Sequence, residues 1–450
     1  MKDTVQSLGE RLTQGKLSSV ALTKQALARA LDAEGEGGRA FIKVYAESAC
    51  QTAAEVDALR ASGKPLSPIA GLPISIKDLF HVEGEVTKAG STALANREPE
   101  KRDAEVIHRL KRAGAVLVGR TNMSEFAFTG VGMNPHYGTP ANPHDRTRLL
   151  IPGGSSSGAP VSVTDAMAVA AIGTDTGGSV RIPAALCGVV GFKPTQSRIS
   201  LQGVFPLSGS LDSVGVIART VACCSEVDAI LSGEPWVQTN VDLKSRTVAV
   251  PKNHFLEDLD PQVAAAFERS IGRLSAAGAT IVEVTLPGIL EIDEINGRGG
   301  LSGPEAYAWH RRLGTGFEGY DPFVRERILR GRDINAADYL DMLAARRAII
   351  ASFNEWQAKS RWDVIACPTV PIVAPEISRL ENDPKLYRHF NRLLLRNPSV
   401  VNFLDRCALS LPCHAKGEAP VGLMLIGRGQ EDHALLNLGI AIERALSPDN

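Results

Sequence analysis

The alternation of helical and strand-like segments along the chain predicts an α/β fold. Amphipathic segments with helical spacing are followed repeatedly by short apolar runs, which is typical of strands and helices that pack in layers. The 450 residues would allow about three domains by length alone. However, no low-complexity tract, charge block or internal repeat divides the chain. We therefore expect one domain that spans residues 1–450.

The first third of the chain shows this alternation clearly. Apolar positions near helical spacing predict a helix over residues 5–33, with Ser18 or Ser19 available as an N-terminal cap. The following pattern predicts a helix at 46–61, a strand at 69–79 that carries Lys77, a helix at 103–113 and a short buried strand at 115–119.

The rest of the chain continues in the same way. A buried strand at 167–172 leads directly into a turn at 174–179, and a helix is expected after Ser179. Beyond it we expect a strand at 247–250, a helix at 261–277, a strand at 280–284, a mostly helical region at 300–360, a final strand at 364–367 and a C-terminal helix at 431–445.

Composition excludes several classes of protein. A net charge of −1 argues against a broad surface for nucleic acid or membranes. The N-terminus has no apolar signal-peptide region, and the longest apolar run, at 166–172, is too short to span a bilayer. The seven cysteines include no C-x-x-C pair, so we expect buried, reduced thiols and a cytoplasmic location.

Two glycine–serine turns indicate nucleophilic chemistry. Residues 174–181 read TDTGGSVR, and residues 153–158 read GGSSSG. Ser179 thus lies 24 residues after Ser155, and two glycines precede each serine. A Gly-Gly step allows a sharp turn whose N–H groups converge on one point. A serine at the end of such a turn can attack a carbonyl group while nearby N–H groups stabilise the oxyanion.

A lysine upstream supplies a candidate base. Residues 71–79 read GLPISIKDL, so Lys77 ends an apolar, strand-like run. A buried lysine loses charge because desolvation disfavours the ammonium, and it can then act as a base near neutral pH. Serine–lysine pairs are a known variant of the serine–histidine–aspartate arrangement.

Taken together and in order, these motifs resemble the amidase signature family. The resemblance extends through residues 121–127, 137–140, 187–195, 210–212 and 420–427, so it covers about residues 5 to 445. It implies one α/β domain with a large mixed central β-sheet covered by helices, and a signature core at about residues 70–215.

The resemblance also implies roles for individual residues. Ser179 would be the nucleophile, Ser155 the bridging serine in a cis peptide, and Lys77 the general base. Asp175 and Arg181 are expected to shape the nucleophile loop through hydrogen bonds. The oxyanion hole would consist of the N–H groups of Thr176, Gly177, Gly178 and Ser179. Substrate-pocket candidates, chosen by position, are Met123, Phe126, Phe128, Tyr137, Tyr307 and Trp309.

Three other interpretations of the motifs are weaker. GSSSG at 154–158 also fits the nucleophile elbow of α/β-hydrolase esterases, with Ser156 as nucleophile, but Pro152 interrupts the segment where a strand is required. A P-loop needs a lysine directly after its second glycine, and neither glycine run has one. The nine histidines form no metal-binding pair, so no metal and no organic cofactor is implied.

The sequence therefore predicts an amidase that hydrolyses a carbon–nitrogen bond of a small-molecule amide, with no nucleic-acid or membrane partner. An alternative within the same chemistry is the glutaminase component of a tRNA-dependent amidotransferase, which releases ammonia from glutamine for a partner protein. A catalytically inactive binding protein is disfavoured because all three triad residues are present. A homodimer is compatible with the sequence.

Overall fold

One mixed sheet of eleven strands runs through the structure, a computed structural model that describes residues 3–447. The α/β prediction is thus confirmed, and the ends of the predicted domain, residues 1–2 and 448–450, lie outside the described residues. The strand order is β1-β3-β2-β4-β6-β5-β10-β11-β9-β7-β8. The strands are β1 Phe41–Val44, β2 Pro73–Lys77, β3 Val116–Thr121, β4 Ala170–Thr174, β5 Val190–Lys193, β6 Val214–Ala218, β7 Thr247–Pro251, β8 Thr280–Val284, β9 Val364–Pro368, β10 Ala408–Pro412 and β11 Gly422–Ile426.

Helices connect and cover these strands. Four short 3₁₀ turns, at Glu125–Ala127, Gln196–Arg198, Leu243–Ser245 and Gly331–Asp333, accompany the α-helices of the described residues. The α-helices are α1 Val5–Thr13, α2 Ser19–Ala30, α3 Gly37–Ala40, α4 Ala46–Ala61, α5 Glu105–Arg112, α6 Gly158–Thr164, α7 Arg181–Cys187, α8 Val221–Ser232, α9 Pro261–Ala276, α10 Ile289–Gly297, α11 Ser302–His310, α12 Pro322–Arg330, α13 Ala336–Lys359, α14 Ile377–Asn382, α15 Pro384–Phe403 and α16 Asp432–Leu446.

The first predicted helix is wrong as a single element. The chain leaves the helix after Thr13 and re-enters it at Ser19, because Gly15 adopts a left-handed φ of 66° that a helix interior cannot accommodate. Ser18 caps the second helix, since its side chain accepts a hydrogen bond from the N–H of Ala21.

Most of the unpredicted strands lie at the centre of the sheet. The strand at 364–367 is not the final one, because β10 and β11 follow it and pair with each other as an antiparallel hairpin. β5, β6 and β11 are four or five residues long, and every residue in them is buried. Strands buried on both faces lack the polar–apolar alternation that reveals a strand in sequence.

Two adjacent parallel strands place the key residues at one edge of the sheet. β2 pairs with β4 in parallel, with Ile76 opposite Ile172. Lys77 is the last residue of β2, and Thr174 is the last residue of β4. Because parallel strands end at the same edge, Lys77 and Thr174 lie side by side at the carboxyl ends of these strands, which is the edge at which α/β sheets bind ligands.

Two sequence expectations concern the chain as a whole. No helix among residues 3–447 is long and apolar enough to cross a membrane. All seven cysteines are free thiols, and six of them are buried, while Cys50 is partly exposed. Burial raises the pKa of the Cys187 and Cys367 thiols, which keeps them protonated.

Candidate active site

Lys77 is fully buried at the carboxyl end of β2. Its Nζ donates hydrogen bonds to Ser155 Oγ at 2.7 Å and to Thr174 Oγ1 at 2.9 Å. Burial lowers the pKa of Lys77 to about 7, although the negative charges of Asp175 and Asp212 act in the opposite direction. A large fraction of this amine is therefore neutral at physiological pH and able to accept a proton.

Ser155 faces Lys77 from a loop that contains a cis peptide bond. The Gly154–Ser155 peptide bond is cis. The Ser155 carbonyl accepts a hydrogen bond from the N–H of Ser124 at 3.0 Å, and the Gly154 N–H donates to the Gly130 carbonyl at 2.8 Å. These contacts fix the loop against the segment that follows β3.

Close backbone approach explains a glycine in that neighbouring segment. Gly132 has a left-handed φ of 89°, and a Cβ placed on it would lie 2.2 Å from the Gly153 carbonyl oxygen. A side chain at this position would push the two segments apart, and it would displace the loop that carries Ser155.

Ser179 lies at the end of the second glycine turn, two residues before α7 begins at Arg181. The expected helix after Ser179 is confirmed, so the nucleophile candidate lies close to a helix N-terminus. The Ser179 carbonyl accepts a hydrogen bond from the N–H of Ser156 at 3.3 Å, which ties the two glycine–serine loops together. No hydrogen bond joins the side chains of Ser155 and Ser179 in the described structure.

The carboxylate of Asp175 organises the turn around Ser179. Its Oδ1 accepts the Gly178 N–H at 2.8 Å, and its Oδ2 accepts the Val180 N–H at 3.2 Å. These two bonds bracket Ser179, and they fix the direction in which its side chain leaves the backbone. The sequence suggested this role for Asp175, and the structure supplies the contacts.

Arg181 and Asn402 hold Asp175 in turn. The Arg181 guanidinium binds both carboxylate oxygens, at 3.0 and 2.9 Å, and both side chains are fully buried. Asn402 Nδ2 adds a bond to Oδ1 at 2.9 Å. Burial acts to raise the pKa of Asp175, but the charge and hydrogen bonds of Arg181 outweigh it and hold that pKa well below its usual range.

Asp175→Asn should therefore destabilise the protein strongly. The change leaves Arg181 buried without a counter-charge, which typically costs about 3–5 kcal/mol of unfolding free energy. Denaturant unfolding monitored by circular dichroism would measure it. Asp165→Asn is the matched control, because Asp165 binds Arg146 in a more exposed ion pair and should cost clearly less. Equal losses in the two variants would contradict the structural role of the buried pair.

The four N–H groups that the sequence analysis expects in an oxyanion hole differ in their hydrogen-bond partners. The Gly178 N–H is already bound to Asp175, so it positions the turn rather than facing a substrate. Among the described residues, the N–H groups of Thr176, Gly177 and Ser179 donate to no protein acceptor. These three remain available for an oxyanion.

Asp212 contacts the second glycine–serine turn. The sequence analysis gave this residue no role, although it lies in a motif that carried the family resemblance. It is buried, and it accepts a hydrogen bond from Thr176 Oγ1 at 2.5 Å. Burial raises the pKa of Asp212 to about 6, while its bond to Thr176 opposes the rise. Asp212 therefore fixes Thr176 and places a second negative charge near Lys77.

The structure places the six predicted pocket residues in different surroundings. Phe126 and Trp309 both pack on Phe205, with ring centroids 5.7 and 5.9 Å away, inside an aromatic cluster. Phe126 is fully buried there, whereas Trp309 is partly buried. Met123 is also fully buried, Phe128 lies under the Arg327 guanidinium, Tyr137 lies beside Lys88, and Tyr307 stacks on Phe317.

The structure also bears on the rival interpretations. Ser156 is fully buried, and no sheet strand directly precedes it, since Leu150 makes only an isolated bridge. The strand–turn–helix setting of a nucleophile elbow is therefore lacking around Ser156. Residues 3–447 contain no group of three or more histidine, cysteine or acidic side chains placed to hold a metal ion.

Comparison with known proteins agrees with the geometry. The Amidase family model matches residues 21–436. The 2-amino-5-chloromuconic acid deaminase of Comamonas testosteroni is 37% identical over 398 residues, covering 87% of this chain and 85% of that protein. The A component of the glutamyl-tRNA(Gln) amidotransferase of Chloroflexus aggregans is 34% identical, covering 98% and 96%. A crystal structure of an amidase superposes with a TM-score of 0.87 at 33% identity, covering 99% of this chain and all of the other.

The chain belongs to the amidase family. It is a hydrolase that acts on carbon–nitrogen amide bonds, as the sequence predicted.

Proposed function

We propose that this member of the amidase family hydrolyses a small-molecule amide through an acyl-enzyme on Ser179, with Ser155 and Lys77 as its proton relay. The observation that carries the proposal is the 2.7 Å contact between Lys77 Nζ and Ser155 Oγ in a fully buried setting. A neutral lysine in hydrogen-bond reach of a serine is the geometry that general-base activation requires.

The proposed reaction begins when neutral Lys77 accepts a proton from Ser155, which accepts the proton of Ser179. Ser179 Oγ attacks the amide carbonyl, and the oxyanion is stabilised by the unengaged N–H groups of Thr176, Gly177 and Ser179. The proton then passes to the leaving ammonia or amine. Water hydrolyses the acyl-enzyme by the same relay. The Ser179 side chain must turn toward Ser155 when substrate binds, and such tightening on binding is common for catalytic hydrogen bonds.

The proposal is tested by ammonia release from a panel of aromatic, aliphatic, ureido and glutamine amides. Hydroxylamine in the assay should divert the acyl group to a hydroxamate, because a stronger nucleophile competes with water for an acyl-enzyme. Hydroxamate formed in proportion to hydroxylamine, with total turnover unchanged or faster, is the expected result. Ammonia release without any hydroxamate would oppose a covalent intermediate.

The two curated relatives suggest two substrate classes for the same site. The Comamonas relative is named for deaminating an acid, so release of ammonia from a small organic acid is the first candidate. The Chloroflexus relative is named as one component of an amidotransferase, and it matches almost the whole chain. Glutaminase activity that depends on a second, co-purifying protein would favour the amidotransferase candidate over the stand-alone enzyme.

We also place the enzyme in the cytoplasm. The free thiols support this location, because an oxidising compartment would favour disulfides.

A further inference from the structure

A carboxylate in the helical part of the chain holds a loop next to the candidate site. Glu305 of α11 accepts hydrogen bonds from Ser208 Oγ at 2.6 Å, from the Ser210 N–H at 3.0 Å and from Ser210 Oγ at 2.5 Å. Tyr339 of α13 donates its hydroxyl to the same carboxylate at 2.8 Å. Glu305 therefore joins two helices to the segment at residues 207–212, which we call the 207–212 loop.

Hydrogen bonds rather than an ion pair satisfy this carboxylate. Glu305 is partly buried, and within residues 3–447 no cationic side chain lies in ion-pair contact with it. Hydrogen bonds to a charged group are stronger than those between neutral groups. Three of the four donors belong to the 207–212 loop, so the conformation of that loop depends on this one side chain.

The 207–212 loop ends at Asp212, which links it to the second glycine–serine turn. Asp212 Oδ2 accepts the Ser208 N–H at 3.0 Å, and its Oδ1 accepts from Thr176 Oγ1. Ser208 thus takes part in both systems, since its hydroxyl binds Glu305 while its N–H binds Asp212. A movement of Ser208 would therefore be passed on to Asp212 and to Thr176.

The two sides of that turn are held in different ways. On one side, an ion pair with a fully buried arginine fixes Asp175. On the other side, the Thr176 hydroxyl has Asp212 as its one acceptor among the described residues. Burial is the main cause of the raised pKa of Asp212, and the charge of Glu305 acts in the same direction. The position of Thr176 therefore depends on Asp212 and, through the 207–212 loop, on Glu305.

We propose that Glu305 is a positioning residue for amide hydrolysis. It holds the 207–212 loop and Asp212 so that the Thr176 N–H points at the oxyanion. An N–H group that is fixed before the reaction stabilises the oxyanion more than one that must be ordered during it. Glu305 itself touches no reacting atom. The inference rests on the proposed function, because it assigns a residue to the oxyanion site of that reaction.

Glu305→Ala tests the proposal on the best amide of the panel. The variant removes all four hydrogen bonds, and we expect kcat to fall roughly 30- to 300-fold, somewhat less than the loss of a whole oxyanion donor. KM should change less than about threefold, because the Thr176 N–H acts on the transition state. Glu305→Gln keeps the length and one acceptor, so it should recover most of the lost kcat.

Glu294→Ala is the matched control. It makes the same change in α10, where Glu294 pairs with Arg298 at the exposed surface, and it should keep the kcat and KM of the wild type. Ser210→Ala removes one of the four bonds from the loop side and should lower kcat about 3- to 10-fold. Ser210→Ala takes the place of Glu305→Ala if a thermal melt shows that Glu305→Ala is unfolded.

A double-variant cycle shows whether Glu305 acts through Thr176. Thr176→Val removes the hydroxyl that binds Asp212, and it keeps the N–H and most of the side-chain shape. In that background Glu305→Ala should lower kcat by less than about threefold, because the link is already broken. Losses that multiply would show that Glu305 acts by another route, and they would overturn the proposal.

Hydrogen–deuterium exchange tests the same link without turnover. In Glu305→Ala the backbone amides of the 207–212 loop and of residues 174–179 should exchange at least about fivefold faster than in the wild type, because opening of the loop releases Asp212 and Thr176. Glu294→Ala should leave both segments at the wild-type rates.

The outcomes separate this proposal from the proposed function. If Glu305→Ala matches the wild type in exchange and in kcat, the link is wrong. If exchange rises in the 207–212 loop while kcat is unchanged, Glu305 only stabilises the fold and the positioning role is wrong. If exchange rises in both segments while the wild type cleaves no amide of the panel, the link holds and the proposed amide hydrolysis fails.

Discussion

Ser179→Ala is expected to lower kcat for amide hydrolysis by at least about 10⁴-fold, because it removes the covalent route altogether. Ser179 occupies the end of a turn whose geometry Asp175 and Arg181 fix, so a smaller side chain should leave the fold intact. The measurement is ammonia release with wild type and variant side by side, on the best amide of the panel. Circular dichroism and a thermal melt would establish that the variant is folded.

Ser156→Ala is the control that separates the two serine hypotheses. If the GSSSG run acts as an α/β-hydrolase elbow, Ser156 is the nucleophile. Ser156→Ala would then lose activity and Ser179→Ala would keep it. In the structure Ser156 is buried, and its Oγ donates only a long bond to the Thr174 carbonyl at 3.5 Å. Near-wild-type turnover by Ser179→Ala, or loss of activity in Ser156→Ala alone, would refute the acyl-enzyme on Ser179.

The elements that the sequence revealed best are those with a clear periodic pattern or a sharp boundary. The helix at Ala46–Ala61 and the strand at Thr280–Val284 have the predicted bounds. Short central strands such as Gly422–Ile426 were missed, because both faces are buried and the residues show no alternation. The break at Gly15 was missed because apolar spacing continues across it, and only the backbone conformation reveals the turn.

In the candidate site, too, features encoded in a short stretch of sequence could be predicted, whereas contacts between distant segments could not. The sequence proposes Ser155, Ser179 and Lys77 because each lies in a contiguous motif whose composition indicates its chemistry. The hydrogen bond from Lys77 to Thr174 depends on the pairing of β2 with β4, which no local pattern encodes. Arg327 reaches the Phe128 ring from almost 200 residues away along the chain, so its position could only be learned from the fold.

Lys77→Met should lower kcat/KM by about 10³-fold or more, since it removes the proposed general base while nearly preserving side-chain volume. In the wild type, kcat/KM should rise with pH through about 7 and then level off, because only the neutral amine accepts a proton. Below that pH, activity should fall about tenfold per pH unit for a single essential ionisation. The pH–rate profile on a non-ionising amide measures this limb.

Stability gives a readout of the same group that does not involve catalysis. Burial lowers the pKa of Lys77 in the folded protein from 10.5 to about 7, so between these values the unfolded chain binds more protons at this site than the native chain. The unfolding free energy contributed by Lys77 should therefore rise with pH across that window, and the rise should be absent in Lys77→Met. The pH–rate profile provides the opposite test. If the fall in kcat/KM below about pH 7 disappeared on replacing one of the nine histidines, the result would instead indicate a serine–histidine mechanism.

A variant of Asp212 tests whether Lys77 is the group that causes the pH dependence of kcat/KM near pH 7. The negative charges of Asp175 and Asp212 raise the pKa of Lys77 against the effect of burial. Asp212→Asn removes one of those charges, so the limb should move to lower pH even if turnover falls because Thr176 loses its hydrogen-bond acceptor. A titrating histidine elsewhere would leave the limb in place. The direction of this shift therefore identifies the group whose loss of a proton produces the limb.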